Sequence, residues 1–385
     1  MSKVLIKGGT LVSVTSETFV GDVLLEDGKI SKVGKNIKVK AEEVIDATGK
    51  YVLPGFIDAH SHIGLYEEGI GFMQDGNEMT DPVTPDVRAI DAFNPYDVAI
   101  KHALNGGFTT VMIVPGSANV IGGQGAIVKF KSNIVDYCIV KSPAGLKMAT
   151  GENPKRVYGD MKKTPSTRLG IAAVMRNYFM KVQDYMEKKR RAIEKDGVFL
   201  DRDPKLEIGE LVLKGVIPAR VHAHRAQDIA TAIRIAKEFN FKLVIEHGTE
   251  AYKIADYLRE NNVPVVVGPF GFRTKIETKD LTYENVRILN EKGVLCAIMV
   301  DHPVTHLEFA NMHAALAMKY GAKKEDILRM LTINPAKILG IDDKVGSIEV
   351  GKDADIVIWS DDPFMPQARV EKVFIEGKEV KWWGE

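Results

Sequence analysis

Between residues 53 and 344, strand-like and helix-like patterns alternate through about eight units. The strands in that stretch are too apolar to leave one face in water, and both ends of the chain read as short strands punctuated by glycine turns. These observations predict an α/β fold. Residues 53–344 are expected to form a (β/α)8 TIM-like barrel, and residues 1–52 and 345–385 together a small β-sandwich built from the N- and C-terminal segments.

The elements follow in order. "KVLIKGGTLVS", "DVLLEDGKISKVG" and "EEVIDATGKYVL" are strands with Gly-Gly and Asp-Gly turns. "FIDAHSH" opens the barrel, and "NPYDVAIKHALNGG" reads as a helix with Asn94 as N-cap, Pro95 at its first position and Gly106-Gly107 closing it. "FTTVMIVPG", "GAIVKF" and "IVDYCIVKSPAGLKMA" supply strands two to four, followed by the long amphipathic helix "RLGIAAVMRNYFMKVQDYMEKKRRAIEK". Its basic cluster, in a neutral protein, reads as a solvated face rather than a nucleic-acid contact. "ARVHAHR", "KLVIEH", "VPVVVG" and "VLCAIMVD" are the last four barrel strands, each followed by a helical pattern. "VGSIEVGKDADIVIWS" and "RVEKVFIEGKEVKWW" return to the terminal β unit.

Composition narrows the function classes. Of the 385 residues 45% are apolar and 27% charged, and 52 basic side chains balance 52 acidic ones, so nothing points to nucleic acid or membrane as a partner. Cys138 and Cys296 are too few for a disulfide framework and read as buried thiols. The N-terminus carries no signal-peptide core, and no apolar run approaches the roughly 18 residues of a membrane span. A cytoplasmic protein acting on a small molecule is expected, with homo-oligomerisation left open.

His60 and His62 stand one residue apart at the end of "FIDAHSH", where strand alternation puts Asp58 on the same side. Two imidazoles at that spacing can converge on one metal ion. His222 and His224 end the fifth barrel strand, His247 the sixth and Asp301 the eighth, all at the end where barrel enzymes assemble their sites. Structural histidines would scatter over helices and loops, as His102 and His313 do.

With "PGFIDAHSH", the later histidines, Asp301 and "TINPAKILGIDDKVGSIEVGKDADIVIW" in this order, the chain resembles the metal-dependent amidohydrolase superfamily over essentially its whole length. Within it the chain looks most like the imidazolonepropionase-related group. The resemblance implies one or two divalent ions held by His60, His62, His222, His247 and Asp301, with Asp301 also the general base. Zinc is the expected ion, with iron, manganese or nickel as alternatives. His222 and His224 compete for one ligand position; His222 is preferred, leaving His224 for substrate or catalysis. Binuclear relatives carry a carboxylated lysine on strand four, and Lys147 is its best match here, ahead of Lys155 and Lys129.

Such a site hydrolyses a carbon–nitrogen bond because a divalent ion lowers the pKa of its water toward roughly 7, generating hydroxide, while Asp301 carries the proton to the leaving nitrogen. The substrate would be a non-peptide amide, a cyclic amide or an N-acyl amino acid or dipeptide. The alternative is a deaminase of a small heterocycle with a mononuclear site lacking the lysine. A metal-storing protein would not need Asp301 as a base. Arg225 and His302, one residue beyond proposed ligands, are candidate contacts for a substrate carboxylate. Asp58 is a candidate partner for a ligand imidazole, and Gln124, in the turn-like "GGQG", for substrate.

Overall fold

The structure is a computed structural model describing residues 3–71, 74–271 and 275–381. Trp382 and Trp383 of the last expected strand, and Phe72 and Met73 after the first barrel strand, lie outside the described residues.

The barrel strands are β1 (Phe56–Ser61), β2 (Phe108–Ile113), β3 (Ile121–Lys129), β4 (Ile139–Ala149), β5 (Ala219–Ala223), β6 (Leu243–His247), β7 (Val265–Val267) and β8 (Cys296–Ile298). They lie side by side in chain order. The seam between β8 and β1 is drawn together just beyond the strands, where the His62 amide donates to the His302 carbonyl at 3.1 Å. The barrel is therefore nearly closed.

The expectation of uniform strand–helix units fails at β3, which runs antiparallel to both β2 and β4. The links at residues 114–120 and 130–138 explain this. A parallel crossover needs a dozen or more residues, so links this short can only reverse the chain. Val135–Cys138 is a single helical turn, so Cys138 is not in a strand. The sequence "GGQG" lies inside β3 and is no turn.

From β4 onward the pattern holds. All neighbouring pairs from β4 to β8 are parallel. The helix Ala226–Phe239 buries Ile229, Ala232, Ile233 and Ala236, the stripe that a 3.6-residue period places on one face. The helix after β1 begins later than expected. Asp97 is the N-cap of Val98–Asn105 and accepts from the Ala99 amide, while Asn94 instead accepts from the Tyr96 amide at 2.9 Å in the preceding turn. Asp97 also takes the Gly64 and Glu68 amides at 3.0 and 3.2 Å, tying the loop after β1 to this helix. The long helix Arg168–Asp196 keeps its basic run exposed and ends at Gly197 in the left-handed conformation.

Both chain ends meet in a second sheet, where Tyr51–Pro54 pairs antiparallel with Ile356–Trp359. Hydrogen bonding joins its eight strands into one sheet that forks at Lys3–Leu11, which carries Glu43–Asp46 and Tyr51–Pro54. Ile6, Leu11, Val23, Val52, Ile356 and Phe374 form its core. The Asp27-Gly28 hairpin turn has positive φ at both residues, as the dipeptide predicts. Lys129 at the end of β3 reaches Asp353 at 2.6 Å and Asp355 at 3.0 Å, fastening the barrel to the C-terminal segment. Among the described residues no helix is long and apolar enough to cross a membrane.

Candidate metal centre

At the C-terminal ends of the strands the histidines and Asp301 gather into two groups. His60, His62 and Asp301 form one, and His222, His224 and His247 the other; the ligand atoms within each lie within 4.8 Å of one another. His60 Nε2 and His62 Nε2 each stand 3.2 Å from the same Asp301 oxygen. Metal bonds of about 2.0–2.1 Å at tetrahedral angles put donors about 3.3 Å apart, so this group already has the spacing of a coordination sphere.

The outer nitrogens are anchored in a way that frees the inner ones. His62 Nδ1 donates to the Val114 carbonyl at 2.7 Å and His247 Nδ1 to the Gly268 carbonyl at 2.9 Å. His60 Nδ1 pairs with Glu246 at 2.6 Å, and His224 Nδ1 shares a 2.7 Å hydrogen bond with Thr249. His60, His62 and His247 thereby keep Nε2 for a ligand, the usual arrangement of metal-binding histidines. His222 is buried with neither ring nitrogen bonded, an expense that a metal ion at this point would relieve.

Electrostatics agree. Burial, with the neighbouring imidazoles, holds His222 and His247 well below the ordinary histidine range, and burial and Lys275 hold His224 down to about 3. These rings are neutral at pH 7, the form that binds metal. Burial alone would raise the pKa of Asp301, but His247 and the close His60 and His62 imidazoles hold it well below its usual value, so it is a carboxylate. Burial disfavours charge on His60, yet the Glu246 carboxylate outweighs it and raises that pKa.

Beneath the histidines lies a buried polar layer that no sequence motif marks. Glu246 accepts from His60 and from Lys147 Nζ at 2.7 Å through one oxygen, and from Arg220 Nε at 2.7 Å through the other. Lys147 points inward, as expected, but is ion-paired to Glu246, with its Nζ 3.5 Å from the His60 ring nitrogens. Asp58 accepts from the His60 backbone amide at 2.8 Å rather than from an imidazole. Burial lifts its pKa to about 7.

A cavity of about 400 Å³ opens over the two groups, lined by His62, Tyr66, His222, His224 and Asp301 and, through half-buried or exposed side chains, by Asn153, Arg156 and Lys275. A larger one, about 800 Å³, lies at the opposite ends of the strands, away from all of these groups. Arg225, Gln124 and His302 are not brought to the metal-side cavity. Arg225 is the N-cap residue of Ala226–Phe239, and Gln124 donates to the Pro85 carbonyl at 3.1 Å. His302 is buried behind Asp301 with neither ring nitrogen bonded. The cations that do face the cavity belong to no motif: Arg156 is on the helix Glu152–Asp160, as the last residue of "TGENPKR" after strand four, and Lys275 immediately precedes the helical turn Ile276–Thr278. Lys129 serves the sheet junction, and Lys155 lies on the helix Glu152–Asp160.

A barrel with paired imidazole and carboxylate donors at its C-terminal mouth defines the class as a metal-binding barrel hydrolase. Residues 51–380 match the amidohydrolase family, and the chain belongs to that family, within the metal-dependent amidohydrolase superfamily. It is a hydrolase acting on carbon–nitrogen bonds other than ordinary peptide bonds. The crystal structure of an amidohydrolase from Thermotoga maritima MSB8 is 61% identical, with a TM-score of 0.97 over 98% of this chain and 100% of that one. Amidohydrolase tasK of Hapsidospora irregularis is 30% identical over 93% of this chain, which spans only 40% of that protein's length. A dihydroorotase from Thermoanaerobacter sp. and an imidazolonepropionase from Thermoplasma volcanium are each 26% identical, over 92% and 93% of this chain and 87% and 90% of their own lengths.

Proposed function

We propose that the protein hydrolyses a small anionic amide, cyclic amide or N-acyl amino acid on a divalent-metal centre, zinc being the ion that best suits the imidazole-rich donors. The observation carrying this reading is the pair of three-ligand groups beneath a cavity with Arg156 and Lys275 in its lining. Residues 53–344 would form the catalytic unit, and residues 1–52 and 345–385 its companion β unit. His60, His62 and Asp301 would hold one ion, and His222 with His247 the other, with His224 beside them. An ion held there supplies Lewis acidity and lowers the pKa of water toward about 7.

The chain's own residues do the rest. Arg156 and Lys275 hold a substrate carboxylate, which aims the scissile bond at the histidines. Asp301 accepts the proton of the attacking water and delivers it to the leaving nitrogen. His224 Nε2 is free to donate to the developing oxyanion. Carboxylation of Lys147 would give the two ions a bridging ligand. The ion pair between Lys147 and Glu246 instead favours the second reading, a mononuclear deaminase of a small heterocycle.

The experiment combines elemental analysis with a screen of lactams, hydantoins, N-acyl amino acids and aminopurines, repeated with Asp301→Asn. The asparagine keeps an oxygen donor but cannot take up a proton, so metal should remain while turnover falls by about two to four orders of magnitude. A metal-loaded variant that retains most of its activity would assign the proton transfer to another group. Under half an equivalent of transition metal in the wild type would remove the basis of the reading. Release of ammonia from aminopurines, with no mass increase from Lys147 carboxylation, would select the deaminase.

A further inference from the structure

A second convergence of metal-binding side chains lies outside the catalytic cavity. Glu68 is in the loop after β1, His102 on the helix Val98–Asn105, and His306 between β8 and the helix Ala310–Lys319. The Glu68 Oε1 atom stands 2.8 Å from His306 Nδ1 and 3.3 Å from His102 Nδ1, and the three ligand atoms lie within 4.8 Å of one another. We propose that Glu68, His102 and His306 form a separate binding site for a divalent transition ion, zinc above all, which fastens the loop after β1 to the segment after β8.

Geometry is the first argument. Donors bonded at about 2.0–2.1 Å in a tetrahedral set are about 3.3 Å apart. The Glu68–His102 separation already has that value, and the Glu68–His306 contact needs to open by only about half an ångström. Two imidazole nitrogens and one carboxylate oxygen, with a fourth position left to water, suit zinc; calcium and magnesium prefer all-oxygen shells.

Positioning is the second. The Glu68 amide is held by Asp97, the N-cap of the helix that carries His102, so the two residues are fixed relative to each other before any ion arrives. Access is the third: side-chain exposures of 33% for His102 and 41% for His306 leave an open path from solvent.

The site has a consequence for the cavity. His306 packs edge-on against His302 with ring centroids 5.4 Å apart, and His302 follows Asp301 directly. Pro303 and Val304, between them, line the cavity wall. An ion on His306 would therefore steady the short segment that carries Asp301.

The test is a zinc titration of the metal-loaded holoenzyme by calorimetry with a competing chelator, repeated on His102→Gln/His306→Gln and on Glu68→Gln. The wild type is expected to take up one equivalent more than either variant. A His60→Asn/His62→Asn/His222→Asn/His247→Asn protein, with both catalytic groups broken, should lose catalytic metal yet still take up this equivalent, which separates the rim site from the catalytic one. Cobalt(II) should give tetrahedral absorption bands in that protein that vanish on adding the rim substitutions. Equal stoichiometry and affinity in wild type and rim variants, or no additional uptake by the wild type, overturns the proposal. Should the double substitution fail to fold, Glu68→Gln alone decides, because it changes one atom of a partly exposed side chain.

Discussion

Glu246 accepts three buried hydrogen bonds, from His60, Lys147 and Arg220. Glu246→Gln would leave two fully buried cations facing a neutral amide. Removing one partner from a buried ion pair costs about 3–5 kcal/mol, so urea denaturation should show a loss of that size; a loss under about 1 kcal/mol would mean that the layer rearranges. Metal affinity should also drop, by about 10- to 100-fold, since Glu246 orients His60. In the cavity lining, Arg156→Met should raise KM for an acidic substrate about tenfold or more at unchanged metal content, because a guanidinium grips a carboxylate and cannot be a ligand. An unchanged KM would move the carboxylate to Lys275. The histidines were legible in the sequence because His-x-His at a strand end is a pattern. Glu246, Arg220 and Arg156 were not, since a lone charge shows its partner only after strands far apart in sequence lie side by side.

Strand ends, rather than strands, decide how the site is presented. Alternation would send Glu246 and His247 to opposite faces, yet both serve the interior because His247 has φ of 71°, and Asp301 at the end of the eighth segment has φ of 55°. Two non-glycine residues in the left-handed region at functional positions mark local strain held by the surrounding structure. Such departures are invisible to periodicity, as was the reversal of β3, which depended on counting residues in a link whose boundaries were uncertain. The later βα units were legible because each strand and helix was long enough to show its own period. Gly268 tests this level: its φ is 149°, a Cβ there would stand 1.9 Å from the Met299 carbonyl, and its own carbonyl holds His247 Nδ1. Gly268→Ala should therefore separate β7 from β8, lower stability by about 2 kcal/mol or more, and weaken metal binding. Wild-type stability and metal content in that variant would show that the ladder can yield without disturbing His247.

On the scale of the whole molecule, the C-terminal segment and the barrel are joined through Lys129, Asp353 and Asp355, and the barrel mouth concentrates neutral imidazoles in a buried interior. The assembly of the two ends was legible from their shared turn-and-strand pattern; the lysine clamp was not. The concentration of imidazoles gives a pH dependence whose sign is fixed. Burial lowers the folded-state pKa of His222, His224 and His247, that of His224 from 6.5 to about 3. As pH falls below 6.5 the unfolded chain takes up these protons and the folded protein does not, so the metal-free protein should lose stability toward pH 4 and be insensitive to these groups above about pH 7. Each such histidine contributes up to about 1.4 kcal/mol per pH unit within that window. His60, raised instead, adds stability that is fully present below pH 6.5 and is lost as pH rises through its folded-state pKa, so it acts above this window and leaves the slope within it unchanged. Replacing His224 by Gln removes one titrating group whatever else it does to stability. Denaturation of the chelator-treated proteins between pH 4 and 7 should therefore give a slope shallower by about one proton in His224→Gln than in the wild type. Identical slopes would mean that His224 takes up its proton in the folded state, and the neutral, metal-ready imidazole cluster would not exist as described.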